Sequence, residues 1–192
     1  MRALLPVLSL LAVTMSSSLA AQDSVTMNDV TFRRHVQVEG HTLTLNGMAL
    51  RKKAIFKVYV AGLYLAEPSS NAEQILLSDS PRRLVLQFLR DVDAKRMCDA
   101  WNDGLKDNTP NAPEALRVKF QTLCGYMEDL EKGEQFVFTY LPGEGTRVDV
   151  RGTRKGVIAG KDFADALFKS FIGPKPGPGD EFKRKLLGAT NG

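Results

Sequence analysis

The side chains best suited to chemistry lie in one segment, Leu45–Leu65, whose sequence is LNGMALRKKAIFKVYVAGLYL. Its β-branched and aromatic residues fit a half-buried strand, yet it also carries Arg51, Tyr59 and Tyr64. Because a buried charge needs a partner, a guanidinium and two phenols facing an apolar interior predict a site for an anion or a phenolate. The alternative is an edge strand whose lysines only keep it soluble.

Other patterns with chemical meaning give weaker signals. His35 and His41 lie in neighbouring predicted strands, with no cysteine or carboxylate at metal-ligand spacing. The sequence has no G-x-S-x-G motif and no glycine-rich phosphate loop. Asp91 and Asp93 precede a predicted helix, where capping explains them. We therefore expect no metal, no cofactor and no nucleophilic triad.

The charge distribution argues against a nucleic-acid-binding protein. The formal net charge is +4 over 192 residues, and acidic residues interrupt every basic run. A nucleic-acid site needs basic residues clustered on one element. The basic stripe at Arg51–Lys57 alternates with apolar residues, which is typical of a strand face.

The first residues have the features of a secretory signal peptide. Arg2 supplies a positive charge, Ala3–Val13 is a short apolar run, and small residues precede Ala21. The run is shorter than the roughly 20 residues that span a bilayer. We expect a signal peptide over residues 1–21, cleaved near Ala20 or Ala21, and a single soluble domain over 22–192 that is periplasmic or secreted.

The two cysteines allow a disulfide in such a compartment. Cys98 and Cys124 lie in predicted helices on either side of the loop Asn108–Pro113, whose centre is midway between them. In an antiparallel helical hairpin they would lie at similar heights. Packed helix axes are about 8–10 Å apart, however, and a bridge needs Cα atoms within about 7 Å. A disulfide and two separate buried thiols both remain open.

The order of predicted elements indicates an α+β fold, because strands come first, then a helical hairpin, more strands and final helices. Gln22–Asn28 is polar and predicted to be loose, and Arg51–Ala66 is predicted to continue as one strand. The other predicted strands cover Val30–Asn46, with a turn at Glu39-Gly40, and the ranges 82–89, 135–141, 146–151 and 156–159. The predicted helices cover 71–77, 94–107, 113–130, 163–171 and 180–187.

Three parts of the sequence resemble the chalcone isomerase-like family, and more narrowly its exported bacterial branch. They are Leu45–Leu65, the helix with Cys98 and Trp101, and the segment AGKDFADALFKSFIGPKPGPGDEFKRKLLG at residues 159–188. The resemblance runs from about Val30 to Gly188. It implies a large curved antiparallel sheet with helices packed mainly on one face, and a cleft between the two layers.

In plant isomerases of this family, five polar residues bind the chalcone and activate a water. By resemblance, Arg51 corresponds to the arginine, Tyr59 replaces one threonine, and Ser170 stands at the other threonine. The tyrosine and the asparagine are missing, and Arg90 and Met97 lie nearest to their expected places. Since a misplacement of about 1 Å can cost around 10²-fold in rate, these departures argue against catalysis.

Non-catalytic relatives hold the carboxylate of a fatty acid with an arginine and a tyrosine, which suits Arg51 and Tyr59, with Tyr64 as a further candidate. The expected lining of the cleft is Met97, Trp101, Leu167, Phe168 and Phe171. The resemblance thus implies an exported protein that binds a fatty acid or similar amphipathic anion. The alternatives are a chalcone isomerase-type intramolecular lyase and an interaction or scaffold protein with a vestigial cleft.

One geometric condition attaches to this site. Eight residues separate Arg51 from Tyr59, which is roughly 26 Å in an extended strand. The two side chains converge only if the chain turns or bulges near Lys52–Ala54, as the plant hairpin does. In a straight strand, Tyr64 or a residue from another element would have to serve.

Overall fold

The structure is a computed structural model that describes residues 23–189. The predicted signal peptide over residues 1–21 lies outside this range.

The main sheet is an antiparallel meander of seven strands, in the order β3-β4-β5-β6-β7-β8-β9. This confirms the predicted α+β class with a large antiparallel sheet. The strands are β1 (Ser24–Met27), β2 (Val30–Arg33), β3 (His35–Val38), β4 (His41–Lys53), β5 (Phe56–Leu65), β6 (Arg82–Phe88), β7 (Gln135–Leu141), β8 (Gly145–Val150) and β9 (Thr153–Ile158).

Five helices cover one face of this sheet. They are α1 (Ala72–Leu77), α2 (Ala94–Asn108), α3 (Glu114–Gly125), α4 (Lys161–Ile172) and α5 (Asp180–Leu186). The main core lies between the layers, where alternate residues of each strand meet the apolar sides of the helices. Asp93 begins α2, as expected, by accepting a hydrogen bond from the Arg96 backbone N–H at 2.8 Å.

A second, smaller core lies on the other face, under a hairpin formed by β1 and β2. The prediction of a loose segment at Gln22–Asn28 is therefore wrong over Ser24–Met27. Asn28 and Asp29 turn the chain with φ of 48° and 65°, and these residue types tolerate that conformation. Val30 and Phe32 are then buried against the sheet.

The predicted strand Arg51–Ala66 is two strands, because the chain reverses at Ala54 and Ile55. Ala54 has a φ of 52°. The sequence gives no sign of this turn, because apolar residues continue through it and neither Ala54 nor Ile55 is a usual turn residue. The register also shifts between Arg51 and Lys52, which is the kind of irregularity that the site required.

The last helix, α5, is docked on β4 by its C-terminal end. A Cβ at Gly47 would lie 2.1 Å from the Lys185 carbonyl oxygen, so only glycine allows this approach. Beside it, Asn46 Nδ2 donates hydrogen bonds to the carbonyls of Leu186 at 2.8 Å and Ser69 at 3.0 Å. These contacts fix the C-terminal end of α5 on β4, and Phe182, near the start of the same helix, packs against Tyr59.

Candidate functional site

Arg51 and Tyr59 are cross-strand partners on β4 and β5. Both project from the helix-covered face, because they are in register with the core residues Ala49 and Ala61. Residues directly opposite each other have Cβ atoms about 4.5–5.5 Å apart. The hairpin therefore brings together the two residues that the sequence proposed as ligand contacts.

The Tyr59 ring lies between two phenylalanines. Its centroid is 5.5 Å from that of Phe88 on β6 and 6.0 Å from that of Phe182 on α5, both in edge-on geometry. Burial raises the pKa of Tyr59 well above its ordinary value, and the Arg51 charge opposes this rise. The phenol is thus a hydrogen-bond donor at physiological pH, and its hydroxyl has no hydrogen-bond partner within residues 23–189.

Arg51 is half-buried, and in residues 23–189 its guanidinium has neither a hydrogen bond nor an ion pair. Its sequence neighbours Lys52 and Lys53 are also cations. A guanidinium offers five donors in a planar fork that matches a carboxylate. This end of the sheet can therefore accept an anion without breaking an existing ion pair.

Tyr64 does not join this pair. It lies on the opposite face of β5, buried in the smaller core with its ring edge-on to Phe32 at 6.5 Å. Its hydroxyl donates to the Arg33 carbonyl at 2.9 Å. Five residues separate Tyr59 from Tyr64, and an odd separation puts two side chains on opposite faces of a strand.

Ser170 also lies away from Arg51, at the contact between α2 and α4. Its hydroxyl donates to the Ala166 carbonyl in the preceding turn at 3.3 Å. A Cβ at Gly104 would lie 2.3 Å from the Ser170 Oγ, so the two helices pack closely here. The structure gives Ser170 a role in helix packing.

The residues expected to line the cleft, Met97, Trp101, Leu167 and Phe171, are buried in the main core. The Trp101 ring packs against three phenylalanine rings at centroid distances of 5.4–6.1 Å. These side chains do lie between sheet and helices, but they fill that space by contacting one another.

The family model described as chalcone isomerase-like matches residues 24–188. The chain belongs to the chalcone isomerase-like family. Among solved structures, it is similar to a fatty-acid binding protein of Arabidopsis thaliana, with a TM-score of 0.69 and 15% sequence identity. That match covers 86% of this chain and 96% of the other, and at this identity it shows the fold. A search of curated proteins finds no match.

The positions where plant members of the family have further polar residues are occupied differently here. Arg90 places its guanidinium 4.7 Å from the centroid of the Phe56 ring on the β4–β5 hairpin. Met97 is 4% exposed in the core. Neither residue supplies a phenol or an amide to the site.

Cys98 on α2 and Cys124 on α3 form a disulfide, with Cα atoms 5.0 Å apart. Of the two alternatives left open by the sequence, the structure has the bridged one. The bridge joins α2 to α3, neither of which carries a residue of the Arg51–Tyr59 pair.

Sequence reasoning missed a buried polar cluster at the other end of the same face. Arg82, 1% exposed, pairs with Asp165 and donates to the Ile75 carbonyl at 2.8 Å. Its guanidinium also lies 4.9 Å from the ring centroids of Tyr140 and Phe168. The sequence could have indicated its inward direction, because Arg82 lies two residues before the core residue Leu84 and therefore on the same face of β6.

Two concave regions lie beside α1, away from Arg51. One, of about 480 Å³, is an open depression lined by Asn71, Glu73, Gln74, Leu77 and Ser78, and the other, of about 70 Å³, adjoins Arg82. Sites for small molecules usually enclose the ligand in some 300–1,000 Å³. The first region is too open for that, and the second is too small.

Residues 23–189 contain no candidate for a membrane-spanning helix or for a metal site. No helix there is long and apolar enough to cross a membrane. No three His, Cys, Asp or Glu side chains in that range lie close enough together to hold a metal ion.

Proposed function

We propose that this protein is a non-catalytic carrier or sensor of a fatty acid or similar amphipathic anion, held by its carboxylate at Arg51 and Tyr59. The observation that carries the proposal is the cross-strand pairing of a guanidinium that has no partner in residues 23–189 with a phenol that also has none. A carboxylate would accept hydrogen bonds from both groups. Hydrogen bonds in which the donor or the acceptor is ionised are roughly twice as strong as those between neutral groups.

The surroundings of Tyr59 fit the junction between a charged head and an apolar tail. Phe88 and Phe182 flank its ring, and Phe171 lies 6.5 Å from Phe182 towards the helix layer. An alkyl chain bound at Arg51 would run along these rings. Because the rings are in contact, the tail would enter by displacing Phe182, which α5 carries.

The length of α5 supports such a movement. It has seven residues, and the segment before it, GPKPGPG at residues 173–179, contains no helix or strand. Its C-terminal end is the docked end, at Gly47. The similar Arabidopsis thaliana structure, a fatty-acid binding protein, supports the same class of ligand for this family member.

Export to the periplasm or out of the cell remains part of the proposal. The signal-peptide features at residues 1–21 support it. The Cys98–Cys124 disulfide is also typical of an oxidising compartment. N-terminal sequencing of the mature protein from its own host should begin near Ala21 or Gln22, and an intact Met1 would contradict export.

The test of the ligand compares a long-chain fatty acid with its methyl ester, which has the same tail and no charge. The wild-type protein should bind the acid more tightly by about tenfold or more, as expected of a charge-assisted contact. Arg51→Met should abolish this preference. Tyr59→Phe, which keeps the ring packing, should reduce it. Lys106→Met, at an exposed site on α2, is the control and should behave as wild type.

An unchanged preference for the acid in Arg51→Met would contradict the proposal. Native mass spectrometry of protein purified from its own host gives an independent measurement, since it identifies any retained ligand by mass. We also expect no acceleration of chalcone cyclisation above the spontaneous rate, because the site lacks the partner tyrosine and asparagine.

A second candidate function is an interaction protein with a vestigial cleft. The observation that favours it is the packing of Trp101 against three phenylalanine rings, which fills the space expected for a tail. This candidate predicts that neither the acid nor the ester binds and that no lipid is retained. The same two measurements therefore separate the two functions.

A further inference from the structure

The tip of the β4–β5 hairpin, residues 52–57, presents large apolar side chains to solvent. Ile55 is 87% exposed and Phe56 is 54% exposed. They are adjacent in sequence at the outermost point of the hairpin, whereas Leu77, Val118 and Val157, the other large exposed apolar residues of the described chain, lie apart from one another in sequence. An exposed apolar group of this kind is a feature to be explained.

The geometry of the turn does not explain these residues. Two-residue hairpin loops favour Asn-Gly, Asp-Gly or Gly-Gly, because φ is positive in the turn. Here Ala54 adopts a φ of 52° and Ile55 follows it. Both residues are less suited to the turn than the usual ones. The turn itself therefore does not account for the residue types at the tip.

The rim of the tip is basic. Lys52, Lys53, Lys57 and Arg90 are exposed, and in residues 23–189 none of them has an ion pair. Arg90 lies over the Phe56 ring at 4.7 Å. Lys52 has only a small effect on the pKa of Glu181, which is lowered mainly by Lys185.

We propose that the hairpin tip binds the surface of a bilayer that contains anionic lipid. Ile55 and Phe56 would enter the headgroup region, while the surrounding cations would contact lipid phosphates. Apolar side chains rimmed by Lys and Arg are the composition that binds to such interfaces, and each cation near an anionic surface adds attraction. The proposal goes beyond ligand binding and does not depend on what Arg51 holds.

The shape of the tip favours a membrane over a protein as the partner. Stable protein interfaces bury about 800 Å² on each partner and match a broad surface. The apolar part of the tip is only two side chains on a convex projection. A fluid surface can close around such a projection, and negative charge on that surface complements the rim. Binding through one tip should be reversible and weakened by salt, which screens exposed charges.

The experiment is sedimentation of the mature, full-length protein with vesicles of phosphatidylcholine alone or mixed with phosphatidylglycerol. We expect binding to the mixed vesicles that is lost at about 1 M salt. The variant Ile55→Ser/Phe56→Ser should bind about tenfold more weakly or worse, since burial of one such side chain is worth roughly that factor. The matched control is Leu77→Ser, which removes a 74% exposed leucine at the other end of the sheet.

A second pair of variants tests the charge at the tip. Lys53→Glu/Lys57→Glu should abolish binding to the mixed vesicles. Lys106→Glu/Lys175→Glu changes the net charge equally, but at exposed sites in the last turn of α2 and in the segment before α5, and should bind nearly as wild type. Circular dichroism checks that all variants are folded.

Three results would overturn the proposal: no sedimentation with mixed vesicles, equal losses in the two charge-reversed variants, or no loss in the double serine variant. Capture of a protein partner by the tip in the absence of lipid, with no vesicle binding, would also overturn it. The double serine variant should keep the preference for a fatty acid over its ester, so membrane binding and ligand binding can fail separately.

Discussion

Two arginines project from the same face of the sheet at opposite ends, and their surroundings differ completely. Arg82 is buried, paired with Asp165, bonded to a backbone carbonyl and flanked by two aromatic rings. Arg51 is half-buried and has no partner within residues 23–189. A buried charge is tolerated only with partners, so Arg82 belongs to the structure of the fold. The hydrogen-bonding capacity of Arg51 is left open for a partner that residues 23–189 do not supply.

The comparison shows that residue type and inward direction do not define a site. Both arginines lie in register with core residues of their strands. They differ in whether a neighbouring residue offers a hydrogen-bond acceptor to the guanidinium. Helix α4 brings Asp165 to Arg82, whereas Tyr59, the residue across from Arg51, is a donor. Two neighbouring hydrogen-bond donors without an acceptor between them form a favourable site for an anion.

We compare the two arginines by replacing each in turn with methionine, and the largest effect on stability is expected at Arg82. Arg82→Met should lower the free energy of unfolding by about 3 kcal/mol or more, because it leaves Asp165 without its buried partner. Lys161, which lies 2.7 Å from Asp165, compensates part of the loss. Urea unfolding measures the effect, and a loss below about 1 kcal/mol would show that Arg82 is as dispensable as we expect Arg51 to be.

A smaller effect is expected beside Arg82, at Tyr140. Burial, followed by the hydrogen bond to Asp79 at 2.5 Å, raises the pKa of Tyr140 from 10.0 to about 12. The folded protein holds this proton more tightly than the unfolded chain does. The associated stability is therefore complete below pH 10 and is lost as the pH rises towards about 12.

Tyr140→Phe should cost about 1 kcal/mol at neutral pH, and the loss of stability between about pH 9 and pH 11 should become less steep than in the wild type. Urea unfolding across this range is the measurement. Tyr64, whose pKa is also raised to about 12, remains in both proteins, so the free energy of unfolding should still fall somewhat with pH in the variant. If it falls as steeply in the variant as in the wild type, the assignment to Tyr140 is contradicted.

At the Arg51 end, stability can be gained. Ala54→Gly should raise the free energy of unfolding by up to about 1 kcal/mol, because glycine adopts the φ of 52° without the penalty that a side chain incurs. Thermal unfolding detects this as a higher Tm. A lower Tm would mean that the added freedom of the unfolded chain outweighs the relieved strain.

The smallest effect is expected at Arg51 itself. Arg51→Met should change the free energy of unfolding by less than about 0.5 kcal/mol in the absence of ligand, since Arg51 has no ion pair or hydrogen bond with the residues that the structure describes. The comparison fails if this variant is destabilised as much as Arg82→Met. With a saturating fatty acid, only the wild type should gain thermal stability.

Much of the architecture follows from local patterns in the sequence. The 3.6-residue spacing of Met97, Trp101 and Leu105 predicts α2, and the turn at Glu39-Gly40 predicts the β3–β4 hairpin. The reversal at Ala54 has no such signal, because an alanine and an isoleucine replace the usual turn residues. The sequence also did not predict β1. Its segment is partly polar and gives no clear strand pattern, and it pairs with β2 in a hairpin that packs on the sheet.

The candidate site was predictable in part. The family resemblance singled out Arg51 and Tyr59, and pairing across the hairpin places them side by side. Tyr64 and Ser170 lie elsewhere because strand parity and helix packing, respectively, decide where they point. The register of β6 indicates that Arg82 points inward. Its pairing with Asp165 could not be predicted in the same way, because Asp165 is 83 residues away in sequence.

The order of the strands has a consequence for how the chain folds. Neighbouring strands of the meander are consecutive in sequence, so most of the sheet forms between segments that are close in the chain. The longest connection joins β6 to β7, and its 46 residues contain α2 and α3. The Cys98–Cys124 bridge shortens the loop that this pairing must close, which reduces the entropy lost. A chain oxidised before the sheet forms should therefore fold faster than a reduced one.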